Sequence, residues 1–82
     1  MVGHIMKEIK QIKMRKDIEV LKDKYKIPIL SLAKRMGLRE VNLRNFMDGR
    51  KLIDRNHEIV KQGLLDVMQE IREAKEYKGF DE

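Results

Sequence analysis

Two glycines, Gly37 and Gly49, frame what this chain can fold into. They close two short apolar-patterned segments within residues 29–49, ILSLAKRMGLREVNLRNFMDG. Apolar residues recur at Leu32, Ala33 and Met36 before Gly37, and at Leu38, Leu43 and Phe46 after it. Spacings of three and four residues put each set on one face of a helix. Glycine takes positive φ without steric cost, so Gly37 is placed to turn the chain between the two helices. Helices that cross at about 90–120° need a small residue where their backbones touch, and Ala33 supplies it. Leu38, Leu43 and Phe46 then pin the second helix to the first, and Gly49 ends it with a left-handed cap. The pattern predicts a helix-turn-helix, with one helix to about Met36 and the next from about Arg39 to Asp48.

Around this unit the chain reads as all-α, a compact domain of four to five helices. Pro28 is the only proline. It disfavours helix at Ile27 and suits the first turn of the helix that follows. Upstream, Met14, Ile18, Leu21 and Tyr25 form a stripe at helical spacing, expected to be the first helix of the core. Ile5, Ile9 and Ile12 form another stripe, displaced by two residues and so rotated by about 200°. Either one long helix carries both stripes or the helix breaks near Lys13–Arg15. Downstream, Leu52 and Ile53 are expected to return to the core. Asp54 is a plausible N-cap for a last helix reaching about Tyr77, with Gly63 its strongest internal breaker and residues 78–82 frayed. The resulting division is an N-terminal extension over 1–13, a core over 14–58 and a C-terminal helix over 59–82.

Charge is distributed unevenly. Residues 1–55 hold 15 Lys/Arg against 7 Asp/Glu, whereas residues 56–82 hold 4 against 7. A basic body with an acidic tail implies that the first part meets a polyanion and the last part does not. Enzymatic chemistry has little to draw on, with one serine, Ser31, and neither threonine nor cysteine. Nucleophile–base constellations, disulfides and thiolate metal sites are thereby excluded. His4 and His57 stand apart without metal-site spacing and read as surface residues. The glycines match no phosphate-cradling loop. No apolar run approaches the roughly 18 residues of a membrane span, and no signal peptide is visible. The chain is read as a cytoplasmic non-enzyme without a cofactor or metal.

The free face of the second short helix carries Glu40, Val41, Arg44 and Asn45, side chains suited to the edges of bases in a DNA major groove. Arg39 and Arg44 can fork onto guanine or onto phosphate. Glu40 can accept from cytosine N4, Val41 can pack on a thymine methyl, and Asn45 can pair with adenine. Asn42 lies to the side, where it meets the DNA backbone. Lys34, Arg35, Arg50 and Lys51 are candidate phosphate contacts.

Leu32, Ala33, Met36, Gly37, Leu38, Leu43, Phe46 and Gly49 stand at spacings that resemble the lambda-repressor-like helix-turn-helix family, the phage-repressor type of DNA-binding domain. The similarity runs over about residues 14–67 in helix order and is specific over the central 21 residues. It implies a sequence-specific regulator of double-stranded DNA, a repressor of phage, plasmid or prokaryotic type, whose base-reading positions fall on Glu40, Val41 and Asn45. The chain departs from the family in three places. Ile29 and Leu30 stand where polar residues are common, and are expected to receive the Ile5–Ile12 stripe. Arg39 replaces the hydroxyl residue that usually caps the recognition helix, so that cap is lost or supplied otherwise. The N-terminal extension lies outside the family pattern.

In the last helix, Val60, Leu64, Val67, Ile71 and Ala74 alternate by four and three residues, with Leu65 and Met68 widening the stripe. This seam is expected to join two copies into a homodimer, helped by Ile5, Ile9 and Ile12. The competing arrangement packs it on the extra N-terminal element that carries the Ile5–Ile12 stripe. Two rival functions remain beside the repressor: an antitoxin-like regulator that binds a protein through its C-terminal helix, and a protein-interaction module that no longer binds DNA.

Overall fold

Helix α1 runs unbroken over Val2–Asp23, so the two apolar stripes belong to one helix with two faces. In the computed structural model, residues 2–76 are described, with side chains from residue 6 onward. No proline or glycine falls between residues 4 and 27 to interrupt α1. Of the two alternatives, one long helix is therefore what forms, without a break at Lys13–Arg15, and the boundary drawn at residue 13 lies inside it. Three more helices follow among the described residues: α2 (Ile29–Met36), α3 (Glu40–Met47) and α4 (Asp54–Glu76). No strand accompanies them there, and the fold is all-α. Tyr77 and the segment 78–82, expected to end and fray the last helix, lie outside the described residues.

The short helices are defined by their ends. Pro28 precedes α2 as its N-cap with extended backbone, and its carbonyl accepts from Leu32 N–H at 3.1 Å. At the other end Gly37 sits at φ 72°, while Gly37 N–H donates to Lys34 O and Leu38 N–H to Ala33 O. This paired closure is a Schellman motif, and it satisfies carbonyls that the helix end would leave open. Helix α3 ends in the same way. Gly49 lies at φ 109°, Gly49 N–H donates to Phe46 O, and Arg50 N–H donates to Asn45 O. The sequence placed both turns and the bounds of both helices within a residue.

Ile18, Leu32, Ala33, Leu43, Phe46 and Val60 are wholly buried at the centre of the core. Met14 and Leu21 of α1, Ile29 and Met36 of α2, and Leu64 and Val67 of α4 complete it. Helix α4 lies against both α1 and α2, while α3 is carried on α2. Gly63 does not break α4. A Cβ added there would lie 2.5 Å from Met36 Cγ, so the missing side chain is what lets α2 approach α4.

Several expectations are corrected here. The seam Val60, Leu64 and Val67 is no dimer surface: exposures of 0, 3 and 3% put these residues in the core of their own chain. The seam packs within its own chain on the core side of α1, not on Ile9 and Ile12, and α1 supplies Met14, Ile18 and Leu21 to that core. Ile71 packs partly against it, whereas Met68 and Ala74 are exposed. Ile9 and Ile12 are about half exposed on the opposite side of α1, so they do not rest on Ile29 and Leu30. Ile29 itself is in the core, and Leu30 faces out. Ile53 is 67% exposed rather than buried. Asp54 is the first residue of α4 rather than its cap: His57 N–H donates to Ile53 O at 2.8 Å, and the Asp54 carboxylate reaches Lys7 instead.

Candidate nucleic-acid interface

Helix α3 buries Leu43 and Phe46 completely, and this fixes which of its sides faces outward. At 100° per residue, Val41, Arg44, Asn45 and Asp48 lie opposite the buried pair, with Glu40 and Asn42 on the flanks. Burial agrees. Val41, Arg44 and Asp48 are exposed, while Glu40, Asn42 and Asn45 are partly covered. Arg39 is exposed at the N-cap and its side chain makes no cap bond. Its carbonyl nevertheless opens the helix, accepting from Asn42 and Leu43 N–H at 3.0 and 3.3 Å.

Charges of both signs meet on this face. Arg44 donates to Glu40 within one turn, at 2.6–2.7 Å from the guanidinium to the carboxylate. Asp48 adds a second acid on the outward side. The outer face of α3 therefore carries a slight excess of negative charge, and the cations lie around it. Lys34 projects from α2, Arg39 stands at the start of α3, and Arg50 and Lys51 follow Gly49; all four are exposed. Lys51 pairs with Glu8 of α1 at 2.5 Å. Exposed pairs of this kind contribute little, about 0–1 kcal/mol, so they yield readily to a competing anion. Arg35 is likewise exposed and paired with an acid outside α3, Glu70 of α4.

Asn42, Asn45, Arg50 and Lys51 meet around one cavity of about 330 Å³ beside the C-terminal end of α3, joined there by Asn56 and the exposed Ile53. On the other side of α3, Arg44 and Asp48 share a second cavity with Glu19 and Lys22 of α1. Asn56 and Lys22 are additions to the expected set. Asn56 lay in the first turn of the last helix and Lys22 at the end of the first, and periodicity within one helix does not show what another helix places beside it.

The end of α3 is held by α1. Arg15 Nε donates to Phe46 O at 2.7 Å, its terminal nitrogen donates to Arg50 O at 3.0 Å, and its guanidinium lies 4.5 Å from the Phe46 ring centroid. A cation at a helix C-terminus also opposes the negative end of the helix dipole. Gln11, only 6% exposed, fixes the following loop. Its Oε1 accepts from Leu52 N–H at 3.0 Å, and its Nε2 lies 3.2 Å from both Leu52 O and His57 Nδ1. With Oε1 committed to an N–H donor, Nε2 donates to both acceptors, so His57 carries its proton on Nε2. His57 is 2% exposed, which corrects its reading as a surface residue. His4 lies outside the described side chains. At the start of α4, the hydrogen bond and charge of Lys7 hold the Asp54 carboxyl below the ordinary aspartate value.

Among the described residues, no group of three or more His, Asp or Glu is gathered to hold a metal ion, and no helix is long and apolar enough to cross a membrane. Comparison of the chain with protein-family models, with curated proteins and with solved structures finds no match.

Proposed function

We propose that this chain is a sequence-specific double-stranded-DNA-binding regulator of the lambda-repressor-like helix-turn-helix kind, in which α3 enters the major groove. The observation that carries this reading is the outward side of α3. It is a strip of Val41, Arg44, Asn45 and Asp48, flanked by Glu40 and Asn42, in which Arg44 is paired with Glu40, and the cations Lys34, Arg39, Arg50 and Lys51 lie around it. Hydrogen-bonding and apolar groups face base edges, while exposed cations meet the phosphates on either side. Gly37 and Gly49 set the two ends that position this helix, and Arg15 steadies its last turn. On binding, Arg44 exchanges its Glu40 partner for a base or a phosphate, leaving Glu40 to accept from cytosine N4. The chain acts in the cytoplasm without a catalytic step or a cofactor. It binds as a homodimer on a roughly palindromic site, associating through the outer stripe of α1 around Ile9 and Ile12.

Selection from a random pool of duplexes tests this directly. An enriched motif is expected, with Arg44→Ala and Asn45→Ala each changing preference at particular positions by about 1–3 kcal/mol. About four phosphate contacts per subunit give a slope of log affinity against log salt of about −4 for one subunit and about twice that for the dimer. The two acids Glu40 and Asp48 on the outer side of α3 favour one rival, a protein-interaction module without DNA binding. That rival predicts no enriched motif and a nearly flat salt dependence.

A further inference from the structure

Helices α1 and α4 leave an open groove along their length. Its first part, about 350 Å³, has Met14, Leu64, Leu65 and Met68 as its floor and Lys10, Lys13 and Lys61 along its rim. A second part of about the same volume shares Asp17 and Met68 with the first and continues past Val20 and Ile71 to Arg72 and Lys75. Leu65 and Val20 are about half exposed along it. Five cations and one carboxylate thus line an apolar floor, within a domain whose other exposed apolar stripe, at Ile9 and Ile12, lies on a different side of α1. From Lys61 to Lys75 the groove follows α4 for about 21 Å at 1.5 Å per residue, the length of a helix of about four turns.

We infer that this groove binds an amphipathic helix of a partner protein, with large apolar residues along one side and acidic residues flanking them. An apolar stripe at helical spacing would lie on Leu65, Met68 and Val20, and its acids would meet the lysines on the rim. Met68, unbranched and flexible, suits a floor that must adapt to the incoming side chains. Charge complementarity selects this occupant over a basic or neutral helix. The groove also lies away from α3. At 100° per residue, Lys13 and Asp17 sit about 160–200° around α1 from Arg15, which faces the end of α3. A partner in the groove leaves the outward side of α3 open, so the two surfaces work together or separately, and the inference does not depend on DNA binding.

The test uses the full chain without DNA and two synthetic 15-residue helical peptides that share one leucine stripe, one flanked by glutamates and the other by lysines. Binding is followed by ¹⁵N-resolved NMR and by fluorescence polarisation at low salt. The acidic peptide is expected to shift resonances of Lys13, Lys61, Leu65 and Met68, and to bind at least about tenfold more tightly than the basic one. Lys13→Glu combined with Lys61→Glu changes exposed side chains only. It leaves three cations against three carboxylates in the groove and should abolish that preference while leaving the unfolding midpoint near that of the parent. Leu65→Ala should weaken both peptides. Equal binding of the two peptides overturns the inference, as do shifts confined to α3 or to Ile9 and Ile12, or no binding at millimolar peptide. Tighter binding of dodecanoate at the same resonances would assign the groove to a small anionic amphipath instead. Groove resonances that move on dilution of the protein alone would assign it to a second copy.

Discussion

Gln11→Ala should be among the most destabilising single changes in the chain, although Gln11 carries no charge and touches no expected site residue. Gln11 makes three hydrogen bonds: two clamp the N–H and C=O of Leu52, and the third satisfies His57 Nδ1. Leu52 is half-buried, so water can reach its backbone groups after the truncation, and their loss sits at the low end, about 1 kcal/mol in total. His57 is 2% exposed, and a buried acceptor without a partner costs about 1–3 kcal/mol. The space vacated by the side chain adds about 1 kcal/mol, for a total of about 3–5 kcal/mol. A domain of this size has a stability of only about 4–12 kcal/mol, so the effect is large. In urea, with a slope of about 1–1.5 kcal/mol/M, the midpoint should fall by about 2–5 M. Gln11→Met fills most of the space without replacing the hydrogen bonds. It should recover about 1 kcal/mol of the loss, separating packing from polar satisfaction. If both variants unfold within about 0.5 kcal/mol of the parent at an unchanged slope, the clamp does not hold the Leu52 loop, and the reasoning from buried polar groups fails.

Four further outcomes are expected. Gly63→Ala gains about 1 kcal/mol of helix propensity but forces Met36 aside, so it should destabilise on balance. A double-mutant cycle with Met36→Ala should show a coupling of about 1 kcal/mol or more, and zero coupling would mean that α2 and α4 do not meet there. Gly37→Val puts a β-branched residue at φ 72° and should cost well over about 1 kcal/mol; a melt like the parent's would remove the turn assigned to Gly37. Asp54 should titrate by NMR below the usual value of about 3.9, and Lys7→Met should return it there. Because the folded pKa is the lower one, the stability from this pair is present in full above the unfolded value and is lost as pH falls through the folded one. Ile9→Glu with Ile12→Glu should leave the fold intact and convert a sedimenting dimer to monomer. A parent that is monomeric at tens of micromolar would remove the dimer from the proposed function.

Much of this structure is legible in the chain, for an identifiable reason. Residues 29–49 carry their own punctuation: Pro28, Gly37 and Gly49 constrain the backbone locally, and local constraints can be read one residue at a time. The seam on α4 is different. Its spacing shows that one side of the helix is apolar, but not whether a second copy or the same chain covers it. Here α1 covers it, because Met14, Ile18 and Leu21 present a matching stripe within reach. Gln11 and His57 were legible in retrospect. Gln11 extends the stripe of Met14, Ile18 and Leu21 by one step of three, and His57 extends that of Val60, Leu64 and Val67 in the same way. A polar residue at a core register is a prompt to look for its partner, and these two are partners of each other.

That pairing changes what α1 is for. The Ile5, Ile9 and Ile12 stripe sets residues 1–13 apart as an extension in the sequence, yet the inner side of the continuous helix sets the geometry next to α3. Arg15 closes the carbonyls of Phe46 and Arg50, and four residues earlier, one turn along the same helix, Gln11 grips Leu52. Between these anchors lie Gly49 and the exposed cations Arg50 and Lys51, so α1 holds both ends of the loop that would meet the phosphates. A change within α1 that never touches a ligand should therefore act on binding by loosening this loop. Arg15→Met, which keeps contact with the Phe46 ring but loses both backbone bonds, isolates that effect. It should weaken binding to every duplex alike while leaving base preference at Arg44 and Asn45 as in the parent.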